Sequence, residues 1–480
     1  MKFNNTIGNF RWTICSLLFF ATTINYLDRQ VLSLTWSDFI APEFHWTNND
    51  YGNITALFSI FYAVSLLFAG RLVDILDTKK GFLWAIGIWS FGACLHAFAG
   101  IATSGILTGN WLVGFDGAKN AIEKVNDTGM VLSTSVTLFI LARFVLAVGE
   151  AGNFPAAIKT TAEYFPKKDR AFSTSIFNSG ATVGALAAPI TIPFIAKAFG
   201  WEMSFIIIGA LGFVWMGFWV FLYDKPENHP MVGPEELEYI QQDVIADSKL
   251  VGYVAETATK VSLKDCFRYK QTWAFAFGKF MTDGVWWFFL FWTPAYLSSV
   301  YDMDATEAAL PLFVLYMITL LSIIGGWLPT YFVEKKGMNP YDGRMKAMLI
   351  FAFFPLLALV AQPLGHYTYW LPVIIIGIAG AAHQSWSANI FTTVGDMFPK
   401  KAIATVTGIG GLAGGLGSTL INKGSGVLFD YTKETNMAFM GFEGIEAGYF
   451  IIFSICAVCY LVGWTVMKTL VPNYRPITDI

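Results

Sequence analysis

The chain has 480 residues, 55% of them hydrophobic and 17% aromatic, with only 14% charged and a mean hydropathy of +0.53. So little charge excludes an ordinary string of soluble domains and points to a membrane protein. The net charge is −3 and no basic stretch resembles a nucleic-acid surface, so no nucleic-acid partner is expected. Cys15, Cys94, Cys266, Cys456 and Cys459 are scattered, four of them in apolar runs, which argues against a disulfide framework. Cys456-x-x-Cys459 has no nearby histidine and reads as two small buried residues.

A membrane span needs about 20 predominantly apolar residues. Twelve runs qualify: 12–36, 51–72, 82–101, 131–158, 171–199, 201–222, 272–298, 307–333, 345–363, 368–393, 402–429 and 447–469. The first is too long for a signal-peptide core and reads as a retained span. A polar segment, 223–270, carries Asp224-Lys225-Pro226-Glu227, Pro230 and Pro234. It divides the chain into a bundle over 1–222, a linker over 223–270 and a second bundle over 271–480. The expected fold is all-α and polytopic: twelve transmembrane helices in two six-helix pseudo-repeats. Most Lys and Arg residues fall in both termini and the even-numbered loops. Lys119, Lys124, Lys197 and Lys433 are those in the other loops. That bias predicts cytoplasmic termini and a cytoplasmic linker.

Two echoes support the halves. Gly70-Arg-Leu-Val-Asp74 with Lys79-Lys80 follows span two, and Gly326-Trp-Leu-Pro-Thr330 with Lys335-Lys336 follows span eight at the same spacing. Phe165-Pro-Lys-Lys168 follows span four and Phe398-Pro-Lys-Lys401 follows span ten. The offset between the pairs matches one insertion, the long loop 102–130. Paired halves are the architecture in which a central site is exposed to each side in turn. The run from Gly408 to Gly417 lacks the Lys-Ser/Thr ending of a phosphate loop and reads as close helix packing, as do Gly180 and Gly184 in span five.

The chemistry lies in charges inside apolar runs. Asn25-Tyr26-Leu27-Asp28-Arg29 sits in span one. An ion at the bilayer centre costs about 2.5–3.5 kcal/mol or more, so such groups are functional candidates. Arg143 and Glu150 stand seven residues apart in span four, on one face, and each should seek a partner on another helix. With Asp28 and Arg29 they sum to zero charge, which makes burial tolerable. Movement of Arg143 relative to Glu150 would shift the carboxylate's affinity for a proton and tie protonation to access. Asp28, Glu150 and Arg143 are therefore the proton-coupling candidates. Arg29 offers a planar fork suited to a carboxylate.

Span seven adds Lys279, a second anion contact, and Asp283, a further intramembrane charge one turn on. Trp286 and Trp287 could wall the cavity. Span ten adds His383, Gln384, Ser385, Trp386 and Asn389, a polar run able to hold a polyhydroxy ligand. Tyr26, Tyr62 and Asn178 add hydroxyl and amide groups. No catalytic residues, metal cluster or nucleotide loop stand out. The expected protein is therefore not an enzyme, carries no cofactor or metal, and acts as a monomer in lipid.

These residues resemble the Major Facilitator Superfamily. Gly70-x3-Asp74 with Lys79-Lys80 is similar to its gating loop between spans two and three, with Ile75 and Asp77 where the pattern has a basic residue and a glycine. Asn-Tyr-Leu-Asp28-Arg29, Arg143-x6-Glu150 with Pro155, and Phe177-Asn178-Ser179-Gly180 resemble the anion:cation symporter family. Lys279-Phe-Met-Thr-Asp283-Gly-Val-Trp-Trp287 and His383-Gln-Ser-Trp-Ser-Ala-Asn389 with Asp396-Met-Phe-Pro resemble its hexuronate transporters. The resemblance implies uptake of glucuronate or galacturonate with protons across a bacterial inner membrane. Asp28 and Glu150 would take protons, Arg143 would regulate Glu150, and Arg29 would bind the sugar-acid carboxylate. Tyr26, Tyr62 and the span-ten run would contact hydroxyls. A symporter for galactonate or glucarate and an organic-anion or phosphate exchanger remain alternatives.

Overall fold

The structure is a computed structural model that describes residues 8–250 and 263–477. One helical run stands for each expected span. These are α1 (Phe10–Thr35), α2 (Asn48–Leu76), α3 (Thr78–Ala97), α4 (Thr128–Glu150, continued by Asn153–Tyr164), α5 (Lys167–Phe199) and α6 (Trp201–Leu222) in the first half. The second half holds α7 (Lys270–Tyr301), α8 (Ala309–Thr319 and, past a 3-10 stretch, Ile324–Lys336) and α9 (Pro340–Phe353, a 3-10 stretch, then Ala361–Gly365). It ends with α10 (Trp370–Met397), α11 (Lys400–Glu434) and α12 (Ile445–Leu470). At 26 residues α1 is about 39 Å long, enough for a hydrocarbon layer of about 30 Å.

Eight of these helices are long and apolar enough to cross a membrane unaided, and α3 qualifies together with Ala99–Thr108 across a 53° bend. The helices α1, α7 and α11 are not among the eight. They carry Asp28 and Arg29, Lys279 and Asp283, and the glycine run, and they pack closely on other helices: α11 on α2 and α7, and α1 on α5. Polar helices of this kind need protein around them in place of lipid.

Local chemistry explains the ends. Thr47 and Asp50 form a capping box at the start of α2. Asp77, between α2 and α3, has φ +68°, the backbone region in which the resembling loop carries glycine. With ψ at 156° this is a region that is essentially glycine's, so Asp77 is strained there. Pro166 before α5 and Pro399 before α11 take almost the same backbone angles (φ −63°, ψ 156° and φ −65°, ψ 152°), so the two Phe-Pro-Lys-Lys echoes start equivalent helices. Most of the glycines predicted to pack helices do so, Gly408 and Gly411 excepted. A Cβ on Gly184 would lie 2.5 Å from the Thr23 carbonyl of α1, and one on Gly417 would overlap the Phe280 carbonyl of α7.

The long loop 102–130, without an account in the sequence, is largely helical: Ala99–Thr108 and Phe115–Ile122, the latter burying Ala118 and Ile122. A departure from an all-helical chain is a two-residue hairpin, Ala438–Phe439 against Phe442–Glu443. It turns through Met440 and Gly441, both at positive φ. In the linker, Pro234–Leu250 is helical and residues 251–262 lie outside the described residues.

Candidate functional site

Arg29 and Glu150 meet. The guanidinium donates from Nε (3.0 Å) and Nη2 (2.7 Å) to a single oxygen, Oε2, of a residue 121 positions away. Both are buried, at 5% and 1% exposure. Local packing brings Glu150 there. Bare Gly149 and Gly152, on either side of it, let α4 lie against the backbone of α3 at Trp89 and Ala85. Three rings surround the guanidinium: Tyr26 at 5.2 Å, Tyr62 at 4.8 Å and Trp287 at 5.0 Å. Tyr26 and Tyr62 come from α1 and α2, whereas Trp287 comes from α7. The cage therefore closes across the two halves, and each ring face strengthens the hold on the cation.

Asp28 points elsewhere. It is 2% exposed, and its oxygens make no hydrogen bond of ordinary geometry among the described residues. Glu150 and Arg143 of α4 and Trp89 of α3 are its polar neighbours. Arg143 does not pair with Glu150 in the way Arg29 does. Its guanidinium lies 5.1 Å from the Phe58 ring, with Nε and Nη1 unbonded among the described residues. It remains close enough to Glu150 and Asp28 to act on both by charge. The four groups predicted from spans one and four thus share one buried region, but the bonded pair is Arg29 with Glu150.

The second half holds a separate cluster. Lys279 Nζ pairs with Asp283 Oδ2 at 2.7 Å and sits 4.2 Å from the Phe391 ring. His383 stacks on Trp286 (5.3 Å, 3°) and shares a 2.8 Å hydrogen bond with the Tyr460 hydroxyl. Trp386 is fully buried with its ring edge-on to Tyr460. Ser385 donates to Ala381 O and Ser322 O, and Asn389 donates to Gly325 O and Ser385 O. Those two residues of the polar run therefore hold α10 against α8. Gln384 is half-buried, and Asn178 is exposed on α5. At the start of α3, Lys79 pairs with Asp224 at 3.3 Å and Lys80 is exposed. Gly70 and Asp74 fall within α2, and their surroundings lie outside the described residues.

Phe58, Trp89 and Tyr460 were missed in the sequence. Each is an aromatic in an apolar run, and nothing local marks it. Tyr460 is buried against both His383 and the Thr282 carbonyl, contacts that only the α7–α10–α12 packing creates.

Known proteins share the sequence pattern and the fold of this chain. The chain is 27% identical over 476 residues to the hexuronate transporter of Escherichia coli strain K12, covering 99% of this chain and 96% of that one. It is 25% identical to a probable galactarate/D-glucarate transporter of the same strain, covering 94% of each. Among solved structures, it matches an inward-facing, unoccupied bacterial homologue of the human lysosomal transporter Spinster with TM-score 0.68 at 17% identity, over 98% of this chain and all of that one. The xylose transporter of E. coli, in a partially occluded inward-open conformation, matches with TM-score 0.63 at 15% identity, over 98% and 100%. These two likenesses show the fold. The Major Facilitator Superfamily model matches residues 18–421. The chain is a multi-pass membrane transporter, and it belongs to the Major Facilitator Superfamily.

Proposed function

We propose that the protein takes up a hexuronate, glucuronate or galacturonate, together with protons across a bacterial inner membrane. The six-helix units 1–222 and 271–480, joined by the linker 223–270, expose the Arg29 region to each side in turn. The termini and linker are cytoplasmic and the carrier works as a monomer.

The observation that carries this reading is the Arg29–Glu150 pair inside a ring cage contributed by both halves. A sugar-acid carboxylate has the same shape and charge as the Glu150 carboxylate, so the two compete for one guanidinium. If Glu150 takes a proton, its hold on Arg29 weakens and the incoming anion replaces it. The sum of charge is then unchanged: the cation, a neutral acid and one anion. An anion without a proton, or a proton without an anion, would leave a net charge in a dry region, which is costly. Asp28, buried without a cation bonded to it, is the second group suited to hold a proton. Arg143 disfavours the proton on whichever of Asp28 and Glu150 it approaches. Tyr26 and Tyr62 offer hydroxyls beside the anchor. Lys279 and Gln384 are the further candidates for ligand contact in the second half, whereas His383 and Trp386 are engaged with Trp286 and Tyr460 and Asn178 is exposed on α5. Ser385 and Asn389 support the α8–α10 contact. An organic-phosphate exchanger would need uncompensated cations. Here Arg29 and Lys279 each meet a carboxylate of the protein itself, and Arg143 is balanced only by charge from Glu150 and Asp28.

Proteoliposomes holding purified protein test this. A pH gradient should drive accumulation of labelled glucuronate, Glu150→Gln should bind without concentrating it, and Arg29→Lys should lose about tenfold or more in affinity because the planar fork is gone. Accumulation indifferent to the pH gradient, or an unchanged affinity in Arg29→Lys, would sink the reading.

A further inference from the structure

Lys279 and Asp283 have no part in the exchange at Arg29, yet both are charged and buried in α7. A buried ion pair is a weak source of stability, since desolvation offsets most of the attraction. Its position suggests another use. Residues 279, 283 and 287 recur every four positions, so they form one stripe along α7. Trp287, at the end of that stripe, is the ring over Arg29. From Lys279 to Trp287 the helix rises about 12 Å. An extended six-carbon diacid, helped by two long cationic side chains, bridges such a separation.

The surroundings of Asp283 suit a group that exchanges a proton. Lys279 is its bonded partner, and α11 offers it bare Gly414, where any Cβ would collide with the carboxylate. Its side chain is 15% exposed against 5% for Lys279, so the carboxylate is the more open member of the pair. The titratable groups around the pair are His383 on α10 and Tyr460 on α12, with Cys456 and Cys459 beside Tyr460; beyond Trp287 lie Arg29 and Glu150. His383 is committed to Tyr460 and to the face of Trp286.

We propose that Lys279 and Asp283 form a second anion-and-proton station, which receives the far carboxylate of a sugar acid bearing an acid group at each end. This rests on the role given to Arg29 above. At Arg29 one carboxylate displaces Glu150, which binds one proton. At Lys279 the other carboxylate displaces Asp283, which binds a second. No covalent bond to the ligand forms, and each station stays neutral. The number of protons carried then follows the charge of the ligand: one for a hexuronate, two for an aldarate.

The test is the proton number of the full-length protein in proteoliposomes, read from the ligand gradient that just balances an imposed pH gradient. Wild type should carry glucuronate with one proton and glucarate with two. Asp283→Asn should lower the glucarate number to one. Lys279→Met should weaken glucarate binding about tenfold more than glucuronate binding in a thermal-shift titration. If wild type carries glucarate with one proton, or carries glucuronate with a proton and does not bind glucarate, the second station is overturned while the role of Arg29 stands. A wild type that moves neither acid in response to pH overturns both. Variants that keep the difference between the two ligands intact also overturn it. The wild-type measurement decides even if a variant fails to fold.

Discussion

The two ends of the bundle are fastened differently. At the end away from the termini, bonds cross between the halves. Asp38, in a π-helical turn closing α1, accepts from Ser298 Oγ at 3.2 Å and from the Ala305 amide. Asp430 of α11 accepts from the Asn48 and Asn49 amides at 3.0 and 2.7 Å, capping α2 from the other half. Lys197 reaches Asp304, and the Tyr51 hydroxyl donates to Phe291 O. At the terminus-bearing end, the described ion pairs stay within a half. Lys79–Asp224 and Lys225–Asp77 lie in the first with its linker, and Arg344–Asp396 and Lys468–Asp342 lie in the second. Arg11 and the start of α1 are likewise bound by Glu236 of the linker.

The contrast identifies the conformation. A carboxylate of one half that caps a helix of the other satisfies amides no helix can satisfy itself. It fixes the halves together at that end. The seam between α2 and α11 follows suit. A Cβ on Gly426 would lie 2.5 Å from Asn48 O and one on Gly52 2.8 Å from Asn422 O, whereas those on Gly411 and Gly408 would meet only Leu66 and Leu67 at 3.7 and 3.5 Å. The backbones touch at the far end and part toward the termini. The structure is closed on the far side.

Breaking the seam should have the largest effect. Gly426→Leu overpacks the closed state by about 1–3 kcal/mol. A single cysteine placed near Asn48 should then react with a membrane-impermeant maleimide several-fold faster; an unchanged rate would show that the seam does not hold the closure. Asp430→Ala should act in the same direction, by about 0.5–2 kcal/mol for a lost cap. Lys225→Ala, at the other end, should cost less than about 1 kcal/mol and leave that labelling rate alone, because its pair is exposed and lies within one half. Equal effects from the two would erase the distinction between the ends.

A smaller, pH-dependent effect belongs to the far end within the first half. Glu43, between α1 and α2, accepts from Trp201 Nε1 at 2.9 Å. Burial lifts its carboxyl to about 7 from an ordinary 4.5, with Glu202 and Glu123 adding to the rise and Trp201 and Lys119 opposing it. A raised acid destabilises the fold when ionised, so this corner should gain stability as pH falls from above 7 toward 4.5. Glu43→Gln should raise the melting temperature more at pH 8 than at pH 5. An equal rise at both would remove Glu43 as the titrating group.

Much of the fold was legible because bilayer physics writes it locally. An apolar run of fixed length becomes a helix, and Pro166 and Pro399 start one wherever Phe-Pro-Lys-Lys appears. The site was legible in its members but not in its pairings. Asp28 and Arg29 are neighbours in sequence, yet successive residues on a helix diverge by about 100°, and Arg29 bonds Glu150 while Asp28 is left without a bonded cation. The polarity of Ser385 and Asn389 was visible, but whether it serves ligand or helix packing depended on how closely α8 approaches α10.

By itself the sequence determined where the helices run, that they fall into two similar halves, and which positions carry charge into an apolar interior, since each is a property of a short segment. The tertiary structure decided that Glu150 takes Arg29, that Trp287 of the opposite half roofs the pair, and which end is shut. Those depend on how helices far apart in the chain pack and tilt, which no single segment encodes.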